Sequence, residues 1–436
     1  MIYDIFATTA PAMPKLGKGL DCIRLMLSQI SSSMREPVAP MLASPLANHL
    51  SEVEFMYPSN QWLEIGAGHI GQLVAGSGEG KNEFTRLAEA VCRKFREHDE
   101  AELQKLVEWQ KTVKTKGANK EKPVRPDVSF WFPPSDVTNP AFLQNAMACE
   151  QNAGHSQYYN LPEVEMADRM CGGHKSVSKL IRNIYDVTRD GALRATADGV
   201  IGNPRLRANI SISSTPEAAR KFYKSELRIG TFGRVVFSYK ARQERSGRIP
   251  RQGKFEDDFL TRLDEYIIRL EACKGRFIVP QLNKLADRLA ADITTIADIY
   301  DDEVIYENMK RSIISAWKCG CILFILNNQA WTRGMADYVE WLVYHDLWSK
   351  MQVFGDMLQK SEEDNVDTTK SGPQNMLDSL PDSFNEAQLE ALRVSLGKSK
   401  EGTKHQLRVW KNRGFITYST QTGLFSKTAE YLNRTR

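Results

Sequence analysis

The 436-residue chain is predicted to open as an α/β fold, to continue as a mainly helical region and to end in a small separate unit. Three observations carry that prediction. Short apolar runs alternate with helical stretches between residues 51 and 239, the pattern of a mostly parallel sheet. A glycine-rich run, Gly76-Ser77-Gly78-Glu79-Gly80-Lys81, stands between one apolar run and a helical stretch. Ser361 to Pro373 is acidic, rich in Ser and Thr, and ends in Gly372-Pro373, which reads as a linker. The expected organisation is an N-terminal helical segment (1–50), an α/β domain (51–254), a helical domain (255–360), a linker (361–380) and a C-terminal unit (381–436).

Residues 1–50 read as short helices punctuated by proline, with Leu20, Ile23, Leu27, Ile30 and Met34 keeping a helical period. Ser51 to Leu63 reads as a hairpin, since Val53, Phe55 and Tyr57 alternate with other residues and Pro58-Ser59-Asn60 supplies a turn. Ile70 to Ala75 is a short strand leading into the glycines. Residues 83–110 are one amphipathic helical stretch, and Lys111 to Lys122 a basic exposed loop. Further strands are expected at Val128 to Phe132, Gln157 to Leu161, Ala208 to Ser213 and Arg234 to Tyr239. From Phe255 to about Leu358 the pattern is helical, with no clear strand signal.

Composition narrows the classes. Hydrophobic residues make up 42% and charged residues 26%, which excludes wholesale disorder, collagen and coiled coil. The densest apolar run, Cys319 to Leu326, is far shorter than the ~20 residues a bilayer demands, and no secretion signal follows Met1. Seven scattered cysteines suggest a reduced, cytoplasmic setting without a disulfide framework. Cys171-Gly172-Gly173-His174 has the residues of half a metal site, but with no matching half no metal is expected beyond what a nucleotide brings. The net charge of +4 is unevenly spread: residues 175–251 carry 17 Lys/Arg against 6 Asp/Glu, and residues 381–436 carry 10 against 5. Two basic segments on an otherwise acidic chain suit a phosphate-backbone partner, although solvated faces are the competing explanation.

The glycine-rich run has the context of a phosphate-binding loop. Glycines let consecutive N–H groups face an anion, the following helix adds its positive end, and Lys81 reaches the phosphates. Gly76, Ser77, Gly78, Gly80, Lys81 and Asn82 are the expected nucleotide contacts. Ala75 replaces the first glycine of the common pattern and Asn82 the usual Ser or Thr hydroxyl that ligates Mg²⁺. A ligand-free strand–helix turn is the alternative. Hydrolysis also requires an acid at a strand end. Glu163, after the strand Gln157 to Leu161, takes that place, with Glu165 and Asn82 sharing the metal; a surface acidic turn is the alternative. Ser213-Ser214-Thr215-Pro216 ends another strand, so Thr215 is either a phosphate sensor or a plain helix cap. Arg234 is either a finger for a neighbouring copy's nucleotide or the partner of a local acid.

Taken in order, Tyr57, Gly78-Glu79-Gly80-Lys81, Glu163, Ser214-Thr215-Pro216 and Gly233-Arg234 resemble an uncharacterised family of RecA-like P-loop NTPases from phages, plasmids and integrative elements. Members accompany or are fused to primases and are regarded as helicases. The resemblance covers about Ser51 to Tyr239, and the helical region after 255 is similar to the family's C-terminal part. It implies ATP and Mg²⁺ as cofactors, Lys81, Glu163 and Arg234 as catalytic residues, and a homo-oligomer, a ring if Arg234 acts in trans. No primase motif is visible, so priming would belong to another chain.

In the C-terminal unit, Phe384 to Leu392 is predicted as a helix capped by Ser383 with Glu386, and Gly402 to Asn412 as a second, basic helix. Phe415 to Tyr418 and Leu424 to Lys427 pair around Gln421-Thr422-Gly423. Helix, turn, basic helix and hairpin resemble a winged helix-turn-helix, which docks its second helix in the DNA major groove; protein contact is the competing use. Lys404, Arg408, Lys411 and Arg413 are its expected DNA contacts. Arg242, Arg245, Arg248 and Arg251 form a second candidate DNA grip. The expected protein is a cytoplasmic, membrane-free, DNA-acting ATPase, in its leading version a helicase; a nucleotide-binding adaptor or replication initiator with little hydrolysis is the alternative.

Overall fold

Four strands, all parallel, form the central sheet of a mixed α/β chain. The computed structural model describes residues 4–115, 123–152, 154–171, 177–193, 201–227, 230–241, 253–300, 303–366, 376–412 and 414–434. Two compact units emerge, one of Met1–Asp287 with Arg311–Gly355 and one of Arg288–Lys310 with Asp356–Arg436. The division falls inside three long helices.

The chain begins with short helices α1 (Asp21–Leu27), α2 (Ser32–Val38) and α3 (Ala43–Ala47). Strands β1 (Val53–Tyr57) and β2 (Gln61–Glu64) form the expected hairpin, and β3 (Ile70–Val74) leads into the glycines. The single helical stretch expected at 83–110 is two helices, α4 (Asn82–Val91) and α5 (Arg93–Thr115), because Cys92 leaves helical geometry with ψ near 15°. Helix α5 also takes up the first residues of the expected basic loop, through Thr115. Then follow α6 (Asn139–Gln151), β4 (Gln157–Leu161), α7 (Val164–Cys171), α8 (Val177–Tyr185), the two-residue strands β5 (Ala192–Leu193) and β6 (Ile201–Gly202), β7 (Ala208–Ser214), α9 (Pro216–Tyr223) and β8 (Val236–Tyr239). After α10 (Asp257–Ala272) comes β9 (Gly275–Phe277), where no strand was expected; it pairs in parallel with β1. Helices α11 (Pro280–Tyr300), α12 (Glu303–Leu326) and α13 (Arg333–Val366) complete the helical region, α13 running into the expected linker.

The sheet order is β4-β7-β3-β8. Every residue of β3, β4 and β7 is buried, as parallel strands covered on both faces require. Both sheet edges are closed by side chains and loop backbone rather than by further strands. On the β8 edge, Phe237 donates its N–H to Asp346 Oδ1 at 2.7 Å and Tyr239 donates to Ser349 Oγ at 3.0 Å, both from α13. This removes the exposed donors that make an edge strand prone to association. On the β4 edge, Tyr158 donates to the Trp131 carbonyl at 2.9 Å. The strand expected at Val128 to Phe132 does not form. Asp99 accepts from the N–H groups of Trp131 and Phe132, and Asn145 both accepts from and donates to Phe130, so side chains satisfy this backbone instead of a ladder. The proline-rich start, short of N–H donors, is held by its carbonyls: Trp348 Nε1 donates to Ala7 at 2.9 Å and Trp341 Nε1 to Pro11 at 2.7 Å.

In the second unit, β10 (Ser383–Phe384), α14 (Glu386–Ser395), α15 (Thr403–Asn412), β11 (Ile416–Ser419), β12 (Leu424–Lys427) and α16 (Ala429–Arg434) surround a core of Leu377, Phe384, Leu389, Leu407, Trp410, Ile416 and Tyr431. The expected cap is displaced by two residues. Ser383 pairs with Ser426 in the sheet, so Asn385 becomes the cap and completes a capping box with Gln388.

Candidate phosphate-binding site

Ala75 to Lys81 joins the carboxyl end of β3 to α4, at the edge of a parallel sheet where ligands of open α/β folds collect. Gly78 and Gly80 have φ of +77° and +91°, which only glycine adopts without strain. Lys81 turns back over the loop, its Nζ donating to the carbonyls of Ala75 at 2.9 Å and Gly76 at 2.8 Å. Burial lowers its pKa, an effect the neighbouring Glu79 partly offsets. Among the described residues, no acceptor takes the N–H groups of Gly78, Gly80, Lys81 or Asn82. The loop therefore presents a run of unspent donors beside a lysine at the positive end of a helix, the constellation that holds phosphate.

The loop is braced from behind. Gln72, fully buried in β3, donates to Ser214 Oγ at 2.7 Å and accepts from Tyr223 OH at 3.2 Å. Ala75 donates its N–H to the Ser214 carbonyl at 3.1 Å. Glu83, buried in the first turn of α4, accepts from the Ser31 N–H at 2.6 Å and Ser31 Oγ at 2.8 Å, tying α2 to the loop helix. Lys240, one residue beyond β8, is buried and donates to the Glu79 carbonyl at 2.8 Å. Neither Ser31 nor Lys240 stands out in sequence. A glutamine inside an apolar strand was the one available signal.

The remaining expected residues fall in different places. Glu163 is two residues past the last β4–β7 pair, Leu161↔Ile212, and so is level with Ser214, which pairs with Val74. One strand separates β4 from β3, so the acid's backbone lies about 10 Å from the loop strand. Its side chain is exposed, with no hydrogen bond among the described residues, as is that of Glu165 in the first turn of α7. Asn82, the first residue of α4, and Ser77 at the loop tip are exposed. Thr215 caps α9, its Oγ1 accepting from the Ala218 N–H at 3.3 Å. Arg234 lies in a 3₁₀ turn before β8, at the amino edge of the sheet, opposite the loop. It pairs with a local acid: Nη2 and Nε donate to Asp186 Oδ2 at 2.8 and 3.2 Å.

On α15, Lys404, Arg408 and Lys411 are exposed at spacings of four and three, one helical face, while Leu407 and Trp410 are buried. Arg242, Arg245, Arg248, Arg251 and Arg413 lie outside the described residues, as do Gly172, Gly173 and His174. No helix among the described residues is long and apolar enough to cross a membrane, and no cluster of three or more metal-ligating side chains occurs among them.

Compared with family models and with curated proteins, the chain finds no match.

Proposed function

We propose that the protein binds ATP with Mg²⁺ in the Ala75–Asn82 loop and acts on DNA as an ATP-dependent motor of a mobile element or phage, a helicase of the replicative type. The observation that carries the reading is the loop's cradle of N–H groups that no acceptor takes among the described residues, set beside the Lys81 ammonium. Gly76, Ser77, Gly78, Gly80 and Lys81 would hold the phosphates. Asn82, Glu163 and Glu165 offer oxygen donors that fit Mg²⁺, a cation commonly bound by one or two carboxylates together with the phosphates of its nucleotide. Glu163 would orient water, and Thr215, with Ser214 beside it, would sense the terminal phosphate.

The parallel sheet with its loop at the carboxyl ends of the strands supports a RecA-like core. Arg234 stands at the opposite edge from its own loop, so service at a nucleotide would be to a neighbouring copy, in a ring, and would require Asp186 to release it. The exposed Lys404, Arg408 and Lys411 stripe supports DNA binding by α15 of a winged helix. Arg242, Arg245, Arg248 and Arg251 would add a backbone grip. A primase as partner and a cytoplasmic site of action rest on the sequence readings alone.

The test is DNA-stimulated ATP hydrolysis by the wild type, Lys81→Ala and Glu163→Gln. Stimulated turnover lost in both variants is the expected result. Nucleotide binding without turnover in the wild type would sink the motor. A second reading, a nucleotide-binding adaptor or initiator with little hydrolysis, is favoured by the exposed Glu163, whose carboxylate has no partner among the described residues, and by Asn82 in place of a hydroxyl.

A further inference from the structure

Burying an ammonium is unfavourable unless its donors find acceptors. The side chain of Lys240 is only 7% exposed, and its Nζ lies 2.8 Å from the Glu79 carbonyl and 2.8 Å from Glu79 Oε2. Both acceptors belong to one residue of the phosphate loop. The lysine itself is anchored, because its N–H donates to the Val74 carbonyl at 2.9 Å on the strand that leads into that loop. A cation has thus been built into the fold against the loop, on a rigid support.

What it does there follows from its neighbours. Glu79 stands between Gly78 and Gly80, both at positive φ, and glycines on either side leave its peptide free to turn. The Lys240 bond draws the Glu79 carbonyl toward β8, while Lys81 draws those of Ala75 and Gly76. With these carbonyls committed to lysines, the N–H groups of Gly78, Gly80, Lys81 and Asn82, which no acceptor takes among the described residues, remain available to an anion. Glu79 also carries the loop's own negative charge, which repels phosphate unless it is cancelled.

We propose that Lys240 is a positioning residue of the nucleotide site, clasping Glu79 so that the loop's amide cradle is fixed and its carboxylate neutralised before a polyphosphate arrives. The inference rests on the reading of the loop as a nucleotide site and adds to it a second lysine that serves the loop rather than the ligand.

The experiment compares the wild type, Lys240→Met, Glu79→Gln and the double variant in three assays. A fluorescent ATP analogue with Mg²⁺ is titrated to give affinity, alongside kcat and KM for ATP. Amide hydrogen exchange of residues 76–82 is followed in the nucleotide-free protein. Lys240→Met is expected to weaken binding at least about ten-fold, the scale of one charge-assisted hydrogen bond, and to raise KM while kcat changes little. Its loop amides should exchange faster. Adding Glu79→Gln should recover more than half of the lost affinity on a logarithmic scale, because the uncancelled charge is gone. Unchanged affinity in Lys240→Met overturns the proposal, and so does a smaller recovery, which would make Lys240 a direct phosphate ligand. Should Lys240→Met fail to fold, Glu79→Ala releases the clasp from the loop side, and unaltered exchange there is equally fatal. A wild type that binds no nucleotide refutes the nucleotide reading, and exchange then decides on the clasp by itself.

Discussion

Mild acid should remove much of the larger unit's stability through its enclosed histidines. His69 and His345 are buried and His155 is half-buried, and loss of hydration pushes their pKa values from an ordinary 6.5 down to about 3, about 3 and about 4 in that order, with Lys318 adding to the effect at His69. Desolvation holds each in the neutral form, and the Ile65 carbonyl beside His69 only partly offsets it. His69 meets the Ile65 carbonyl, His345 meets Ser238 Oγ at 3.0 Å, and His155 stacks on Trp131 with ring centroids 4.3 Å apart. In the unfolded chain each takes up a proton near pH 6.5, whereas in the fold none does so until about pH 4 or below. Across that interval the unfolded state binds more protons, so stability is complete above pH 6.5 and falls as the pH is lowered. Between pH 7 and pH 5 the loss is about 2 kcal/mol for each histidine, on the order of 5 kcal/mol for the three, a large part of an ordinary domain's stability. Lys318, whose pKa burial lowers to about 8, stays charged throughout this interval and adds nothing to the slope. Guanidinium unfolding at the two pH values, followed by fluorescence of the buried Trp317, Trp341 and Trp348, measures the difference. His345→Gln should reduce that difference by about 2 kcal/mol whatever it does to absolute stability. A wild type equally stable at both pH values to within about 1 kcal/mol, or a variant with an undiminished difference, would refute the reasoning.

Two further outcomes follow from the site and from the C-terminal unit. Asn82→Ser places a hydroxyl where the common loop pattern has one, and should raise Mg²⁺-dependent ATP turnover several-fold at low Mg²⁺; unchanged turnover across a Mg²⁺ titration would show that position 82 takes no part in holding the metal. Replacing Lys404, Arg408 and Lys411 together with Ala should weaken duplex DNA binding evenly across sequences and reduce the slope of log affinity against log salt by up to about 2.7, roughly 0.9 for each phosphate that a removed cation had neutralised. An unaltered slope would remove α15 from the DNA interface.

The loop was legible in the sequence because its chemistry is local. Glycines at 78 and 80 are required by positive φ, Lys81 follows them directly, and strand and helix adjoin on either side. The α15 stripe was legible for the same reason, since its spacing lies within one helix. What sequence did not convey depends on residues far apart in the chain. β9 is three residues long and exists only because β1, more than two hundred residues earlier, accepts it as a neighbour. The apolar run Val128 to Phe132 has strand composition, yet Asp99 and Asn145 satisfy its backbone, and β propensity yields to that context. Arg234 finds Asp186, and Lys240 finds Glu79, 161 residues away. Ser383 looks like a cap until Ser426 claims it for a sheet.

On the proposed reading of the loop as a nucleotide site, its two halves are unequally built, and the inequality bears on how such a protein would work. The binding half is preorganised: two lysines hold the loop's carbonyls, Gln72 and Ser214 brace it from β3 and β7, and Glu83 ties it to α2. What would be the hydrolytic half consists of an exposed acid one strand further away, whose carbonyl accepts from the Met166 N–H in the first turn of α7 but whose carboxylate no described residue orients. Preorganised donors bind a phosphate chain without further ordering, whereas a water-positioning carboxylate works only when held within hydrogen-bond reach of its proton. Tight nucleotide binding with slow basal hydrolysis is the combination this geometry supports. Any large stimulation by DNA or by a second copy would then have to act by ordering Glu163, and would raise kcat while leaving the affinity set by the loop almost unchanged.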